Sequence, residues 1–422
     1  MYIVFIKKFE IYFKIERISI MSMYFAPLAA EAERPEFSRW KTLLKHHAVL
    51  HESSLFDDSL LKTPYPLETL GPGYYFAPAF SHWDLIYALL DSCPVMPEHT
   101  LHQLENMLSF QQEDGSIAGA IFFVKGTGEP HFYSQFPAVW PLAVDEYTRV
   151  TGTDKAMKLC FEPLIRQIRW FEKERRAENY GFYYMDTVLP KTWESGVDES
   201  IRCEVVQERG KFPCVDATSH VYMLYDAAAR WSEKLTGNAD EEFVAKRDEL
   251  GELIRQKFYS EETGFFHDAY LLERGISFRT LTAIWPLTCG AASPEQANRV
   301  IDESLLNPER FFTAHPLPYV AINEPYFKLK MWRGGAFNSL TYMAILGCLR
   351  YGRKDAAVQI AEKILDMALH HYRCTGAIWE FYHPFGESPM KMSRKAAPWL
   401  LPCREYQGHN PFFALARVAI QK

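Results

Sequence analysis

The sequence lacks the features that mark membrane proteins and nucleic-acid-binding proteins. It has no apolar run of the about 20 residues that a membrane span requires, and the run at residues 2–6 is too short for a signal-peptide core of about 7–15 residues. Its formal net charge is -7, whereas a nucleic-acid surface needs clustered lysine and arginine. These absences predict a cytoplasmic protein that binds neither membrane nor nucleic acid.

Metal and disulfide signatures are also missing. The eight cysteines form no C-x-x-C pair, and no histidine stands at zinc-finger spacing. Neither an H-E-x-x-H motif nor a facial triad involves the histidines near the polar segments, which are His82, His131, His267 and His383. We therefore expect reduced, mostly buried thiols and no metal site.

No low-complexity tract, long charge run or linker divides the chain of 422 residues. Residues 1–20 alternate apolar residues with lysine and glutamate, and Met21 and Met23 are plausible starts. We expect residues 1–22 to be an extension of little structural value and residues 23–422 to form a single domain. The sequence leaves the oligomeric state open.

Helical periodicity dominates the chain. Apolar residues recur at helical spacing in about twelve segments, and residues 117–125 look extended. The predicted helices span residues 36–50, 83–90, 97–111, 136–151, 154–178, 216–235, 240–259, 280–289, 294–305, 335–351, 355–372 and 411–420. Ser134 and Asp154 are the expected caps of the fourth and fifth helices. The helices pair into a degenerate hairpin repeat.

The connections between these helices differ in composition. Those after the odd-numbered helices are rich in aromatic and polar residues, whereas those after the even-numbered helices are short and plain. Because hairpin helices run antiparallel, all the rich connections fall at one end, which predicts that this end carries the function. Twelve helices in this pattern predict an all-α protein, an (α/α)6 toroid with six inner and six outer helices.

One rich connection, residues 192–200, combines three carboxylates with an aromatic ring and a glycine. Buried charge needs partners, so this composition indicates a polar pocket with an aromatic wall rather than a core helix. Glycoside hydrolysis needs two carboxyl groups with different environments. We predict that Asp198 is the proton donor, with its pKa raised by burial and by nearby Glu194 and Glu199. Glu380, in residues 378–384, is then the base.

These two stretches resemble motifs of glycoside hydrolase family 63, which is related to the inverting trehalases of family 37. Residues 193–200 are similar to W-E-S-G-x-D-x-S, whose Asp is the general acid, and residues 379–384 to W-E-x-Y-x-P, whose Glu is the base. Residues 81–84, 134–137 and 331–338 resemble further segments in the family's order. The resemblance implies an (α/α)6 barrel, inversion and no cofactor. The expected sugar-binding residues are Trp83, Asp84, Gln135, Trp193, Glu194, Gly196, Trp332, Arg333, Trp379 and Tyr382.

Three departures concern the leaving-group side. Phe136 and Gly335 stand where the family has proline, and residues 404–410 replace its W-T. The chain is compact, which favours a small solute such as glucosylglycerate or mannosylglycerate, and Arg202, Arg333 or Arg404 would pair with the glycerate carboxylate. We expect an exo-acting α-glucosidase or α-mannosidase acting on a small saccharide. A sugar epimerase on a similar barrel and a non-catalytic sugar-binding protein remain alternatives.

Overall fold

The computed structural model describes residues 23–57, 63–76, 78–123, 131–133, 135–189, 191–395 and 399–421. The expectations for residues 1–22, for Ser134 and for the side chain of His131 lie outside the described part. The α-helices within it are α1 (Ala26–Glu31), α2 (Lys41–Ser53), α3 (His82–Ser92), α4 (Pro97–Leu108), α5 (Pro141–Thr151), α6 (Lys155–Glu174), α7 (Arg202–Val205), α8 (Val215–Thr236), α9 (Glu241–Leu253), α10 (Ala269–Leu272), α11 (Trp285–Cys289), α12 (Pro294–Val300), α13 (Met331–Gly334), α14 (Asn338–Arg350), α15 (Lys354–Thr375) and α16 (Phe412–Ala419).

Twelve of these helices build two concentric rings. The inner ring contains α3, α5, α8, α11, α14 and α16, and the outer ring contains α2, α4, α6, α9, α12 and α15. From α3 to α14, inner helices pack against their neighbours in chain order, α15 packs on both α14 and α16, and α16 packs against α3 to close the ring. The chain therefore forms the (α/α)6 toroid that the sequence predicts.

Burial differs between the rings as this arrangement requires. Every residue of inner helix α3 is buried, whereas outer helix α9 buries only Phe243, Leu250 and Gly251. A helix that is apolar on one stripe lies at a surface, and one that is buried all round lies in a core. The main hydrophobic cluster of the described residues runs from Phe25 to Ala419, and the single domain stays a prediction.

Short strands and turns lie in the connections between the helices. The strands are β1 (Leu55–Phe56), β2 (Leu67–Glu68), β3 (Ala79–Ser81), β4 (Ala120–Phe122), β5 (His131–Tyr133), β6 (Tyr259–Ser260) and β7 (Phe265–Phe266). They pair antiparallel as β1–β2, β3–β4–β5 and β6–β7. Short 3-10 helices span Pro35–Phe37, Met185–Thr187, Leu281–Ile284 and Pro389–Lys391, and π-helical turns extend α9 and α12 at Ile254–Phe258 and Ile301–Leu305.

All twelve predicted helices are present, with their ends displaced by a few residues. The start is five residues late at α2, which begins at Lys41 rather than at residue 36, and at α5, which begins at Pro141 rather than at residue 136 because residues 135–139 are irregular. Asp154 precedes α6 as expected, but its side chain accepts no capping hydrogen bond and pairs instead with Lys158. No helix in the described ranges is both long and apolar enough to cross a lipid bilayer.

The rich connections meet at one end of the toroid, as the sequence predicts. Isolated β-bridges join neighbouring connections at Thr280–Val320 and Ala336–Tyr382, and two further bridges, Pro318–Ala336 and Trp379–Arg404, lie within single connections. The backbone of Gly73 lies so close to the next such connection that a Cβ atom there would be 1.5 Å from the carbonyl oxygen of Arg404. The connections therefore form one continuous surface over the inner ring.

A buried histidine–carboxylate network joins the seam where the ring closes. It consists of His47 and His51 on α2, Glu68 on β2, Asp91 on α3 and His99 on α4. Asp91 Oδ2 lies 3.0 Å from His47 Nε2 and 3.2 Å from His51 Nε2, and Glu68 lies 2.6 Å from His51 Nδ1 and 2.8 Å from His99 Nε2. Asp91 also accepts the backbone N–H of Ala414 on α16 at 2.6 Å. The network thus connects the outer helices α2 and α4 with α3 and α16, the first and last helices of the inner ring.

Candidate active site

The loop that carries Asp198 is organised by Asp186, a residue that the sequence analysis did not single out. The buried carboxylate of Asp186 accepts the hydroxyl of Thr192 at 2.9 Å and the backbone N–H groups of Glu194 at 2.9 Å and Ser195 at 2.7 Å. Three donors from one turn fix its backbone. Burial raises the pKa of Asp186, although these hydrogen bonds oppose the rise.

Glu194 also holds this loop in place through hydrogen bonds to the protein. Its buried carboxylate accepts the guanidinium of Arg175, with Nε 3.0 Å from each oxygen and Nη2 2.8 Å from Oε1, and the N–H of Met185 at 2.5 Å. A bidentate arginine pair of this kind gives strong and directional binding. Its protein partners show that Glu194 anchors residues 185–195, and its contact with sugar stays a prediction.

Several residues of this loop adopt left-handed backbone conformations. Lys191, Trp193 and Glu199 have φ values of 66°, 51° and 60°, and Gly196 has a φ of 75°. For a residue other than glycine this conformation costs about 1–2 kcal/mol, and such costs concentrate at functional sites. Gly196 also approaches Trp83 closely, because a Cβ atom on Gly196 would lie 3.4 Å from Trp83 Cε2.

Asp198 lies at the C-terminal end of this loop, and its side chain is 16% exposed. Its Oδ2 atom is 2.8 Å from the ammonium of Lys395. Burial raises the pKa of Asp198; the charges of Lys395 and Arg394 oppose the rise without cancelling it, and Asp186 adds to it. The sequence analysis assigned the like-charge effect to Glu194 and Glu199. That was wrong, because Arg175 and Lys330 pair with those two carboxylates and Asp186 is the acidic neighbour.

Glu380 is more deeply buried and has stronger partners. Arg394 donates Nε to Oε2 at 2.6 Å and Nη2 to Oε1 at 2.5 Å, and the N–H of Cys403 donates to Oε2 at 3.0 Å. Burial alone would raise the pKa of Glu380, but Arg394 outweighs burial, and the pKa lies below its ordinary value. These three N–H groups take three of the about four lone-pair positions of a carboxylate, leaving one at Oε1 for a water proton.

The two carboxylates are thus held by consecutive residues, Arg394 and Lys395. The Arg394 guanidinium carbon lies 5.8 Å from the ring centre of Tyr74 and 5.5 Å from that of Phe76. The Lys395 ammonium lies 4.3 Å from the ring centre of Trp193. Distances of this size allow cation–π attraction. Neither cation was predicted from the sequence; the adjacent pair of basic residues soon after Glu380 was the available signal.

A group of polar residues lies beside Glu380. Asp84, at the start of α3, accepts the hydroxyl of Tyr406 at 3.1 Å and lies 3.7 Å from His409 Nε2. Burial and the charge of Glu380 raise the pKa of Asp84 to about 7. Burial lowers the pKa of His409 to about 4, so its imidazole is neutral near pH 7. Tyr406 and His409 come from residues 404–410, the stretch that departs from the family pattern.

Three predicted sugar-binding residues carry buried polar atoms that have no hydrogen-bond partner within the described part of the chain. These atoms are Trp83 Nε1, Gln135 Oε1 and Trp332 Nε1. Buried polar groups are otherwise almost always paired, because leaving one unpaired costs about 1–3 kcal/mol. The indole of Trp332 stacks on Phe337 with ring centres 3.8 Å apart, and this stacking fixes its orientation.

Two other predicted sugar contacts turn toward the protein. Trp379 is 1% exposed, donates Nε1 to the hydroxyl of Thr375 at 3.1 Å and is covered by Arg404 at 5.5 Å. Tyr382 is also 1% exposed and stacks on His315 with ring centres 4.4 Å apart. These contacts indicate that both rings support the backbone on either side of Glu380.

The three arginines considered for a glycerate carboxylate differ in availability. Arg202 is buried and pairs with Asp216 at 2.8 Å and Asp268 at 3.0 Å. Arg404 is exposed and donates to the carbonyl of Thr375. Arg333 is buried and pairs with Glu204, whose side chain is 59% exposed. Of the two buried arginines, Arg333 is the one whose carboxylate partner solvent already reaches.

Two clusters outside the pair of carboxylates have the composition of a metal site. Their ligand atoms lie within 4.8 Å of one another in His47, His51 and Asp91 and in Cys214, Asp216 and Asp268. Arg202 occupies the second cluster as a cation, and hydrogen bonds satisfy the carboxylate of the first. Neither cluster includes Asp198 or Glu380.

The fold is shared with known glycosidases. The chain is similar to the family 63 mannosylglycerate hydrolase of Thermus thermophilus in complex with glucose, with a TM-score of 0.62 and 16% identity over 84% of this chain and 95% of that chain. The same enzyme in complex with Tris and D-glycerate gives a TM-score of 0.61 at 15% identity, with the same coverage. The neutral trehalase of Saccharomyces cerevisiae gives a TM-score of 0.64 at 14% identity, over 84% of this chain and 73% of that chain.

A family model matches residues 77–397, well over half of the chain. Its description is the mannosylglycerate hydrolase MGH1-like glycoside hydrolase domain. The predicted resemblance to family 63 is confirmed, and the protein is a glycoside hydrolase rather than an epimerase or a non-catalytic binding protein. The chain belongs to the family of mannosylglycerate hydrolase MGH1-like glycoside hydrolases.

Proposed function

We propose that the protein is an inverting, exo-acting hydrolase of an α-glucoside or α-mannoside of a small solute. The observation that carries this proposal is the difference in partners: Lys395 is the ion-pair partner of Asp198 at 2.8 Å, whereas Glu380 accepts two hydrogen bonds from Arg394 and one from the N–H of Cys403. The pKa of Asp198 accordingly lies above its ordinary value and that of Glu380 below it. An inverting glycosidase needs this difference, because one group must be protonated and the other ionised at the same pH.

In the proposed reaction Asp198 donates its proton to the glycosidic oxygen as the bond to the anomeric carbon breaks. Water attacks that carbon from the opposite face and gives a proton to Oε1 of Glu380. The products are a free sugar of inverted configuration and the alcohol of the leaving group. Asp198 ends ionised and Glu380 protonated, and exchange with solvent restores both.

The sugar would be held on the side of Glu380 and Asp84. Asp84, Tyr406 and His409 form a fixed polar set there, and carboxylate and imidazole groups suit the hydroxyls of a hexose. The unpartnered atoms of Trp83, Gln135 and Trp332 would gain partners from the same hydroxyls. Such groups favour a terminal sugar, because each hydroxyl they bind must be free.

The leaving-group side favours an anion. Lys395 lies directly at Asp198, and Arg333 lies near the segment that follows Asp198, paired with solvent-exposed Glu204. The Thermus thermophilus enzyme of similar fold has been solved with D-glycerate bound. We therefore propose glucosylglycerate and mannosylglycerate as the substrates to try first, with Arg333 as one contact of the carboxylate.

The test is a hydrolysis screen followed by NMR that resolves the anomers. The purified protein is incubated with mannosylglycerate, glucosylglycerate, trehalose, kojibiose and maltose, and the first product formed is identified before mutarotation. From mannosylglycerate or glucosylglycerate, whose leaving group has no anomeric carbon, we expect the β-anomer of the free sugar to appear first. Release of the α-anomer first from either would contradict inversion, and a folded protein that releases sugar from none of these substrates would overturn the proposal.

A further inference from the structure

The contact between Lys395 and Asp198 conflicts with the role of a general acid. An ammonium 2.8 Å from a carboxylate favours its ionised form, whereas the acid must hold a proton when the leaving group departs. Among the described residues, the charges with the largest effect on the pKa of Asp198 are those of Lys395, Arg394 and Asp186, and Asp198 in turn acts on the phenol of Tyr74. Of these, Lys395 alone is hydrogen-bonded to Asp198, so it is the group whose movement would change the state of the acid.

The Lys395 ammonium can exchange one ion-pair partner for another, whereas the Arg394 guanidinium cannot. Arg394 is 3% exposed and its guanidinium makes two hydrogen bonds to Glu380. The Lys395 side chain is 22% exposed, makes one ion pair with the residues that the structure describes and lies against the ring of Trp193. A lysine ammonium on a flexible stem reorients at low cost, and an aromatic face retains it on the way.

We propose, resting on the hydrolytic function above, that Lys395 is a specificity-determining residue that exchanges partners. In the free enzyme it pairs with Asp198. In the substrate complex it pairs with the carboxylate of an anionic leaving group, and Asp198 takes up a proton from solvent. The charges balance: an ammonium and a carboxylate gain one substrate anion and one proton, and become a neutral acid beside an ammonium–carboxylate pair. A neutral leaving group offers Lys395 no replacement anion.

The first experiment compares two glycosides that differ in one group, glucosylglycerate and glucosylglycerol, or the mannosyl pair if mannose is the sugar. We expect Lys395→Met to lower kcat/KM for the glycerate glycoside about 50-fold and to change that for the glycerol glycoside less than about threefold, because only the former uses a charged hydrogen bond. Lys395→Arg should restore part of the loss. Lys330→Met is the matched control, since it removes a lysine paired with Glu199 at 2.6 Å.

The second measurement separates exchange of partners from a structural role. In the free enzyme Lys395 stabilises the carboxylate of Asp198, so Lys395→Met should move the alkaline limb of kcat/KM to higher pH. Calorimetry of D-glycerate binding in two buffers at about pH 8 should show proton uptake in the wild type and none in Lys395→Met.

The outcomes are distinguishable. Equal losses on both glycosides with an unmoved alkaline limb, or glycerate binding without proton uptake, would overturn the role of Lys395 and leave the hydrolase assignment standing. Hydrolysis of neutral disaccharides with no preference for the glycerate glycoside would do the same. A wild-type protein that cleaves none of the glycosides would overturn both proposals.

Discussion

The active site and the histidine–carboxylate network both place carboxylates beside cations in the interior. The two regions differ in how many partners each carboxylate has and in the direction of its pKa shift. In the network Glu68 and Asp91 each have two imidazole partners, and the pKa of each falls to about 2, although burial alone would raise it. Asp198 has a single lysine partner, and its pKa rises. Complete pairing keeps a buried carboxylate ionised for stability, and incomplete pairing leaves one able to carry a proton.

The backbones of the two regions differ in the same sense. Most of the network lies on the regular helices α2, α3 and α4, whereas the Asp198 loop has three non-glycine residues at positive φ. Strained backbone is tolerated where the surrounding structure fixes it. If this comparison is right, changes at the site should cost activity and changes in the network should cost stability.

The largest effect should come from removing the two candidate catalytic groups. Asp198→Asn and Glu380→Gln should each lower kcat by at least about 10³-fold, because general acid–base catalysis supplies about 10²–10⁴. Asp198→Asn should keep its melting temperature, whereas Glu380→Gln should lower it, because Arg394 loses its buried partner. The control is Glu31→Gln, which breaks a similar arginine pair with Arg417 and should keep full activity. Activity retained in Asp198→Asn would end the assignment.

The next largest effect should be on stability. Asp91→Asn removes the shared partner of His47 and His51 and should lower the free energy of unfolding by about 3–5 kcal/mol, because it leaves a protonated imidazole without one of its carboxylates. Urea denaturation measures the loss, and kcat at a temperature where the variant is folded should be unchanged. A lower kcat with normal stability would reverse the comparison.

The network should also make stability depend on pH. Burial would lower the pKa of His51, but Glu68 and Asp91 raise it to about 9. Because this lies above the ordinary 6.5, the stabilisation is complete below about pH 6.5 and is lost as the pH rises toward 9. Between about pH 6.5 and 8 the wild type should lose about 2 kcal/mol more than His51→Gln in urea denaturation. Parallel losses in the two proteins would show that His51 is not protonated in the fold.

The smallest effect should follow from loosening the Asp198 loop. Asp186→Asn keeps the shape but loses one acceptor oxygen for the N–H groups of Glu194 and Ser195, so kcat should fall about tenfold, which corresponds to about 1.4 kcal/mol. Thr192→Val removes only the hydroxyl donor and should cost less. Steady-state kinetics on the best substrate ranks the two variants. An equal loss in both would argue against Asp186 as the organiser of the loop.

Local periodicity was enough to predict the helices and their arrangement. Outer helices such as α6 are amphipathic, and even fully buried α3 is bounded by clear turn signals, so the repeat could be recognised. Motif spacing then located Asp198 and Glu380 on two of the connections. Nothing in these patterns depends on which distant side chains meet.

The partners of the site were beyond such reasoning, because tertiary contacts choose them. Arg394 pairs with Glu380, which lies 14 residues earlier in the sequence. Lys395, in the connection after α15, pairs with Asp198, in the connection after α6. Glu194 and Trp379 were expected to face sugar because of their composition, but a carboxylate or an indole is equally able to hold a backbone in place. Only the positions of Arg175 and Thr375 distinguish the two uses.

Closure of the ring by α16 has a consequence for synthesis of the protein. Asp84 on α3 receives its Tyr406 partner, and Asp91 its Ala414 partner, only when the C-terminal stretch that holds them has been made. The seam between α3 and α16 therefore stays open until the last inner helix has been synthesised. A nascent chain stalled before residue 406 should be unable to turn over any glycoside.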